Sequence, residues 1–158
     1  MNSELQYITN QLKDAYEGEP WFGRNVKNIV SEITPSAAME KPNGKEHSIL
    51  ELVYHMIIWR EFIITRLEPD AAKALDYFEQ NDWRQLDHSD NSLWQKGLNE
   101  LDATQQKLLK LLEDIDENIL DKKVEERKYN FRFLLYGIIQ HDIYHLGQIA
   151  YVKKLFMV

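Results

Sequence analysis

The sequence predicts an all-α fold: a four-helix bundle with long connections. Four long segments carry apolar residues at the i, i+3, i+4, i+7 spacing of a helix that buries one face. Strict apolar–polar alternation between turn clusters, the mark of a strand, is almost absent. Four amphipathic helices of this length bury their stripes by packing against one another.

Each element has its own signals. The first helix starts near Ser3, where Ser3 and Gln6 match a capping box, and runs to about Glu17. Gly18 and Pro20 interrupt it, and a helical pattern resumes through Val26, Ile29, Val30 and Ile33. The second long helix begins at Ser48, which forms a capping box with Glu51, and Pro69 lies just past its end. The third spans roughly Ser92 to Ile115, with a seam of Trp94, Leu98, Leu101, Gln105, Leu108, Leu112 and Ile115. The fourth runs from about Phe131 to Phe156. Between them lie Thr34–His47, Pro69–Asn91 and Asp116–Asn130. Plain helical hairpins use only about 2–8 connecting residues. These linkers have room for a crossover, so the order of helices around the bundle stays open.

Composition narrows the function classes. The 158 residues make one domain by length, spanning 1–158, with enough chain for a solid core. A net charge of −7 repels phosphate backbones and anionic lipid, so neither nucleic acid nor a membrane is expected as a partner. The small basic pairs Lys122-Lys123 and Lys153-Lys154 have acids nearby. With no cysteine, the chain has no disulfide framework and no thiol of its own to act as nucleophile or ligand. Met1 to Pro20 is too polar and acidic for a signal peptide, and the longest apolar run, Phe133 to Ile139, is too short to span a bilayer. A cytoplasmic protein is the expectation.

One feature departs from a plain bundle. From Leu134 the fourth helix's seam reads Leu134, Ile138, His141, His145, Gln148, Val152, Leu155, with two histidines in its middle. They stand one turn apart, about 6 Å along the axis and about 40° around it, so both can reach one ion. The second helix has the same anomaly in Leu52, His55, Trp59, Phe62. Each histidine also has a plainer reading. His55 alone reads as a hydrogen-bonded core residue, and H-x-x-x-H arises by chance on helices. His47 and His88 sit among polar loop residues and read as surface groups.

The joint case is stronger. An uncompensated buried polar group costs roughly 1–3 kcal/mol, and three together weigh heavily on a domain stable by only about 5–15 kcal/mol. A shared divalent metal satisfies all three and leaves at least one open coordination position. The spacing then predicts their nearest ring nitrogens about 3–4 Å apart. Hydrogen bonding with Gln105, Gln148 or water is the competing solution. Asp142, one residue after His141, points about 100° away and is a poor copy of the glutamate base of HExxH metalloproteases. It reads instead as a solvated carboxylate or one supporting a ligand from behind. Trp59 and Trp94 read as core, whereas Trp21 and Trp83 read as candidates for a pocket rim.

The chain resembles the DinB/YfiT-like family of metalloenzymes. The carrying residues are His55 in Leu52-Val53-Tyr54-His55-Met56-Ile57-Ile58-Trp59, and His141, His145, Gly147 and Gln148 on the last helix. Gly18-Glu19-Pro20-Trp21-Phe22-Gly23 and Asn81-Asp82-Trp83 also look like segments of this group. The resemblance implies a four-helix bundle holding a divalent metal, usually nickel or zinc, on His55, His141 and His145. Relatives include thiol-dependent S-transferases and a maleylpyruvate isomerase, which use bacillithiol or mycothiol. Many others are called metal-dependent hydrolases, and dimers are common, which leaves a homodimer open here. The expected activity is transfer of a low-molecular-weight thiol to an electrophilic small molecule. The alternatives are metal-dependent hydrolysis and a non-catalytic bundle with structural histidines. No side chain stands out as a general base.

Overall fold

The computed structural model describes residues 3–68 and 73–156. In chain order its helices are α1 (Glu4–Tyr16), α2 (Val26–Val30), α3 (Pro35–Met39), α4 (Ile49–Leu67), α5 (Leu75–Gln80), α6 (Ser92–Asp114) and α7 (Phe131–Phe156). Short 3-10 turns occupy Pro42–Gly44 and Glu117–Asp121. Among the described residues the only β pairing is an isolated antiparallel bridge between Lys123 and Asn130. The all-α expectation holds. No helix among the described residues is long and apolar enough to cross a membrane.

The caps explain where the long helices begin. Ser48 and Glu51 form the full reciprocal box at the head of α4. At α1 only half of the expected box forms: Ser3 accepts from the Gln6 backbone, while the Gln6 amide donates to Asn10. Asn130 accepts from the Phe133 backbone at the head of α7. Pro69, read as the stop of the second long helix, lies outside the described residues. The first and second linkers hold more helix than their sequence suggests. Thr34 caps α3 in a stretch read as connection, and α5 interrupts the next.

Contacts between side chains settle the topology. α1 and α4 each pack against both α6 and α7, so α1 and α4 stand at opposite corners of the bundle. Leu12 and Tyr16 of α1 meet Gln105 and Asp102 of α6, which makes that pair antiparallel. Tyr54 and Arg60 of α4 meet Leu93 and Gln105, so α4 and α6 run parallel. His55 and Arg60 of α4 meet His145 and Asp142 of α7, so those two run antiparallel. The order is up, down, down, up. Two successive parallel helices require their connection to return along the whole bundle, and this one does. It climbs back beside α4, with Phe78 against Phe62, Asp82 and Trp83 beside His55, and His88 on Ser48.

The core has two apolar halves. One gathers α2, α3, the first half of α4 and the last half of α7 around Val53, Met56, Leu101 and Ile149. The other gathers α1, the last half of α4 and the first half of α7 around Ile8, Phe62, Leu108 and Leu135. At the level where they meet sit the buried polar residues His55, Arg60, Gln105, Asp142 and His145. Charged side chains are almost never fully buried unless paired. The polar layer is therefore the part of the bundle that calls for a functional account.

Candidate metal centre

His55 faces the bundle interior from α4, and His141 and His145 face it from successive turns of α7. One ring nitrogen from each of the three lies within 4.8 Å of the others. The Nε2 atoms of His55 and His141 are 2.9 Å apart. Ring centroids are separated by 4.9 Å for His55–His141, 4.6 Å for His55–His145 and 4.3 Å for His141–His145. Two nitrogens bound to one tetrahedral ion stand about 3.3 Å apart, given bonds of about 2.0–2.1 Å. The His55–His141 pair is slightly closer than that, and the other pairs stay within 4.8 Å.

The outer nitrogens decide the tautomers. Nδ1 of His55 donates to Asp82, whose backbone carbonyl lies at 3.1 Å and whose carboxylate lies at 3.0 Å. Both can only accept, so Nδ1 carries the proton and Nε2 is bare. Nδ1 of His145 donates to the Gln148 amide oxygen at 2.6 Å, which leaves its Nε2 bare as well. Nδ1 of His141 is buried without a partner, and so is Oδ1 of Asp142, 3.8 Å away. A proton on His141 Nδ1 faces that carboxylate oxygen and leaves its Nε2 bare toward His55. Without an ion, a proton on His141 Nε2 donated to the bare Nε2 of His55 closes this 2.9 Å contact; with that proton on Nδ1, both Nε2 atoms are free for a shared cation. The donor set thus fits a divalent ion: one ring nitrogen from each of three histidines converges, and the outer nitrogens of His55 and His145 are held by Asp82 and Gln148.

Electrostatics keep two of the rings neutral. Burial, followed by the neighbouring His141, pushes His145 down to about 4. Burial also lowers His55, against the pull of the Asp82 hydrogen bond. Both rings are unprotonated at neutral pH, the form a metal ligand needs.

The crossover segment completes the surroundings. Trp83 lies flat on His55, with ring centroids 4.0 Å apart and planes 5° from parallel, and His47 stacks on its other face at 3.6 Å. Trp59 donates to the Asp82 carboxylate at 2.6 Å. Asp82 therefore holds a histidine and a tryptophan together. A residue from the α5–α6 connection could not be assigned this place by periodicity.

Several sequence readings need correction. Asp142 is not solvated: it is 2% exposed and paired with Arg60 at 2.5 Å, because the helix twist turns it inward between α4 and α6. Arg60 itself, 1% exposed, was missed; it also donates to Gln105 at 2.7 Å. A lone arginine in an apolar run is the signal that could have found it. Gln105 donates in turn to the Leu12 carbonyl and takes no part in the histidine cluster. His88 is half-buried and hydrogen-bonded to Ser48 rather than a free surface group. His47 is exposed, but its ring lies on Trp83. Trp21 is fully exposed, while Trp59 is only half-buried. Trp94 is core as read.

Comparison with curated proteins and comparison with solved structures gave no match. The family model of the DinB superfamily matches residues 22–149, a span that holds all three histidines and the crossover with Asp82 and Trp83. The three-histidine cluster is compatible with a divalent metal site, as that kinship suggests. On a match over most of its length, the chain belongs to the DinB superfamily.

Proposed function

We propose that the protein is a divalent-metal-dependent enzyme that transfers a low-molecular-weight thiol to an electrophilic small molecule. His55, His141 and His145 would hold the ion. One observation carries the reading: ring nitrogens of three histidines converge from two helices to within 4.8 Å, while Asp82 and Gln148 hold the outer nitrogens of His55 and His145. Neutral nitrogen donors of this kind suit zinc or nickel and leave the ion its full charge. The chemistry such an ion supplies when bound is Lewis acidity, which makes a thiol or a water nucleophilic near neutral pH.

The chain's own residues do the rest. Asp82 fixes the His55 tautomer and Gln148 fixes that of His145. Trp83 covers the flat face of His55 and keeps water from it. His141 is the least buried of the three and marks the side from which reactants arrive. Because the chain has no cysteine, the sulfur must enter with a cosubstrate. The sulfur forms a bond to an electron-poor carbon, the leaving group departs with its bonding pair, and the thiol proton passes to solvent. With an epoxide, the ring oxygen takes the pair and then a proton.

The test is a screen of halogenated aromatics and epoxides with several thiols, using native protein, metal-free protein and His55→Ala. Turnover is expected only with both metal and thiol, and about 100-fold less or lower still with His55→Ala. Metal-dependent cleavage of esters or amides without thiol would replace this reading with hydrolysis. Protein purified without chelator that holds no metal would make the histidines structural.

A further inference from the structure

Next to the three histidines, α4 and α7 leave a cleft of about 180 Å³. Trp59 and Ile63 form the α4 wall, Gly137, Ile138 and His141 form the α7 wall, and Phe133 stands at the rim. No lining side chain carries a fixed charge. The indole N–H of Trp59 is already committed to Asp82, so it offers a ring and no free donor. His141 belongs both to this wall and to the histidine cluster, so whatever sits in the cleft lies against the edge of the cluster.

Gly137 shapes the α7 wall of the cleft. A glycine inside a helix costs roughly 0.5–1 kcal/mol relative to alanine. A Cβ added at Gly137 would meet nothing within 4 Å, so no packing contact explains the glycine. What its missing side chain leaves is open space in the α7 wall. An apolar cavity of about 150 Å³ accommodates benzene, so the cleft has room for one substituted ring. An unpaired charge placed against Trp59 and Ile63 would lose its hydration without compensation.

We propose that this cleft binds the uncharged, ring-bearing part of the electrophile, with its reactive carbon toward His141. The role of that ring as thiol acceptor rests on the metalloenzyme reading above, whereas binding of the ring does not.

The experiment is a fluorine NMR titration of the intact protein with 4-fluorotoluene, and with 4-fluorobenzoate as the charged counterpart. It is run on wild type and Gly137→Leu, each loaded with zinc or with cobalt, with metal content measured by plasma emission. The side chain introduced by Gly137→Leu grows into open space on a helix that favours it, so the variant should fold and keep its metal. The neutral ring should bind at least tenfold more tightly than the benzoate. Gly137→Leu should weaken that binding at least tenfold at unchanged metal content and circular dichroism. Cobalt should broaden the bound probe's resonance well beyond zinc.

Absent binding, equal binding of the benzoate, or unchanged binding by Gly137→Leu overturns the cleft assignment. Tight binding without a cobalt effect in cobalt-loaded protein overturns the orientation toward His141. If the protein takes up neither metal, the metalloenzyme reading fails and the orientation with it. The cleft is then still judged by the Gly137→Leu comparison on metal-free protein.

Discussion

His145 shows how burial sets what an imidazole can do. The residue is 6% exposed, and burial first and His141 second push its pKa from 6.5 down to about 4. The folded protein therefore resists a proton that the unfolded chain accepts. The unfolded state binds more protons between about pH 4 and 6.5, so stability rises with pH across that window. In metal-free protein the contribution is complete above pH 6.5 and is lost as the pH falls toward 4. His55 is lowered in the same direction and adds to the effect. We expect the urea midpoint of metal-free protein to fall between about pH 7 and about pH 4.5, with His145 supplying on the order of 1–2 kcal/mol. His145→Gln, which cannot titrate, should show a smaller fall. Identical pH dependence in the two proteins would count against a depressed His145.

At the scale of elements, α4 and α7 are joined by more than the histidines. Arg60 of α4 meets Asp142 of α7 and Gln105 of α6 where the two apolar halves of the core meet. A buried ion pair is expensive to desolvate, so it is weak evidence of net stability. Removing one partner is another matter, because the other is left charged and unpaired. Arg60→Ala is expected to destabilise the protein by about 3–5 kcal/mol in urea unfolding followed by circular dichroism. The double change Arg60→Met with Asp142→Leu should recover most of that loss, since an apolar pair of similar volume fits between the two halves. An Arg60→Ala variant within about 1 kcal/mol of wild type would show that water already reaches the pair. The same layer faces His141 with the free oxygen of Asp142, so the double variant should also bind metal about 10–100-fold more weakly.

At the scale of the whole molecule, the up, down, down, up order makes the α4–α6 connection run the length of the bundle. That return path brings Asp82 and Trp83 to the histidines, so the topology itself builds part of the site. Charge also acts at this scale. With a net charge of −7, the protein should not retard duplex DNA in a gel shift at about 150 mM salt, where binding depends on neutralising phosphates. Retardation that weakens with rising salt would reveal a basic surface strong enough to override the overall charge.

Periodicity determined a great deal by itself, because a helix that buries one face must repeat its apolar residues every three to four positions. The span of α7, the start of α4 at Ser48 and the shared face of His141 and His145 all follow from local spacing and capping chemistry. So does the place of His55 on an inward seam. The tertiary structure alone decided what no local rule contains. α3 and α5 are too short for periodicity to declare them, and the direction of α6 depends on how a long linker crosses the bundle. Arg60 and Asp142 are 82 positions apart and find each other only when α4 and α7 pack. Asp82 and Trp83 reach His55 from a connection whose sequence carries no repeat. Trp21 and Trp83 are alike by residue type and setting in the sequence, yet one is bare to solvent and the other lies on a histidine, because only the crossover passes over the site.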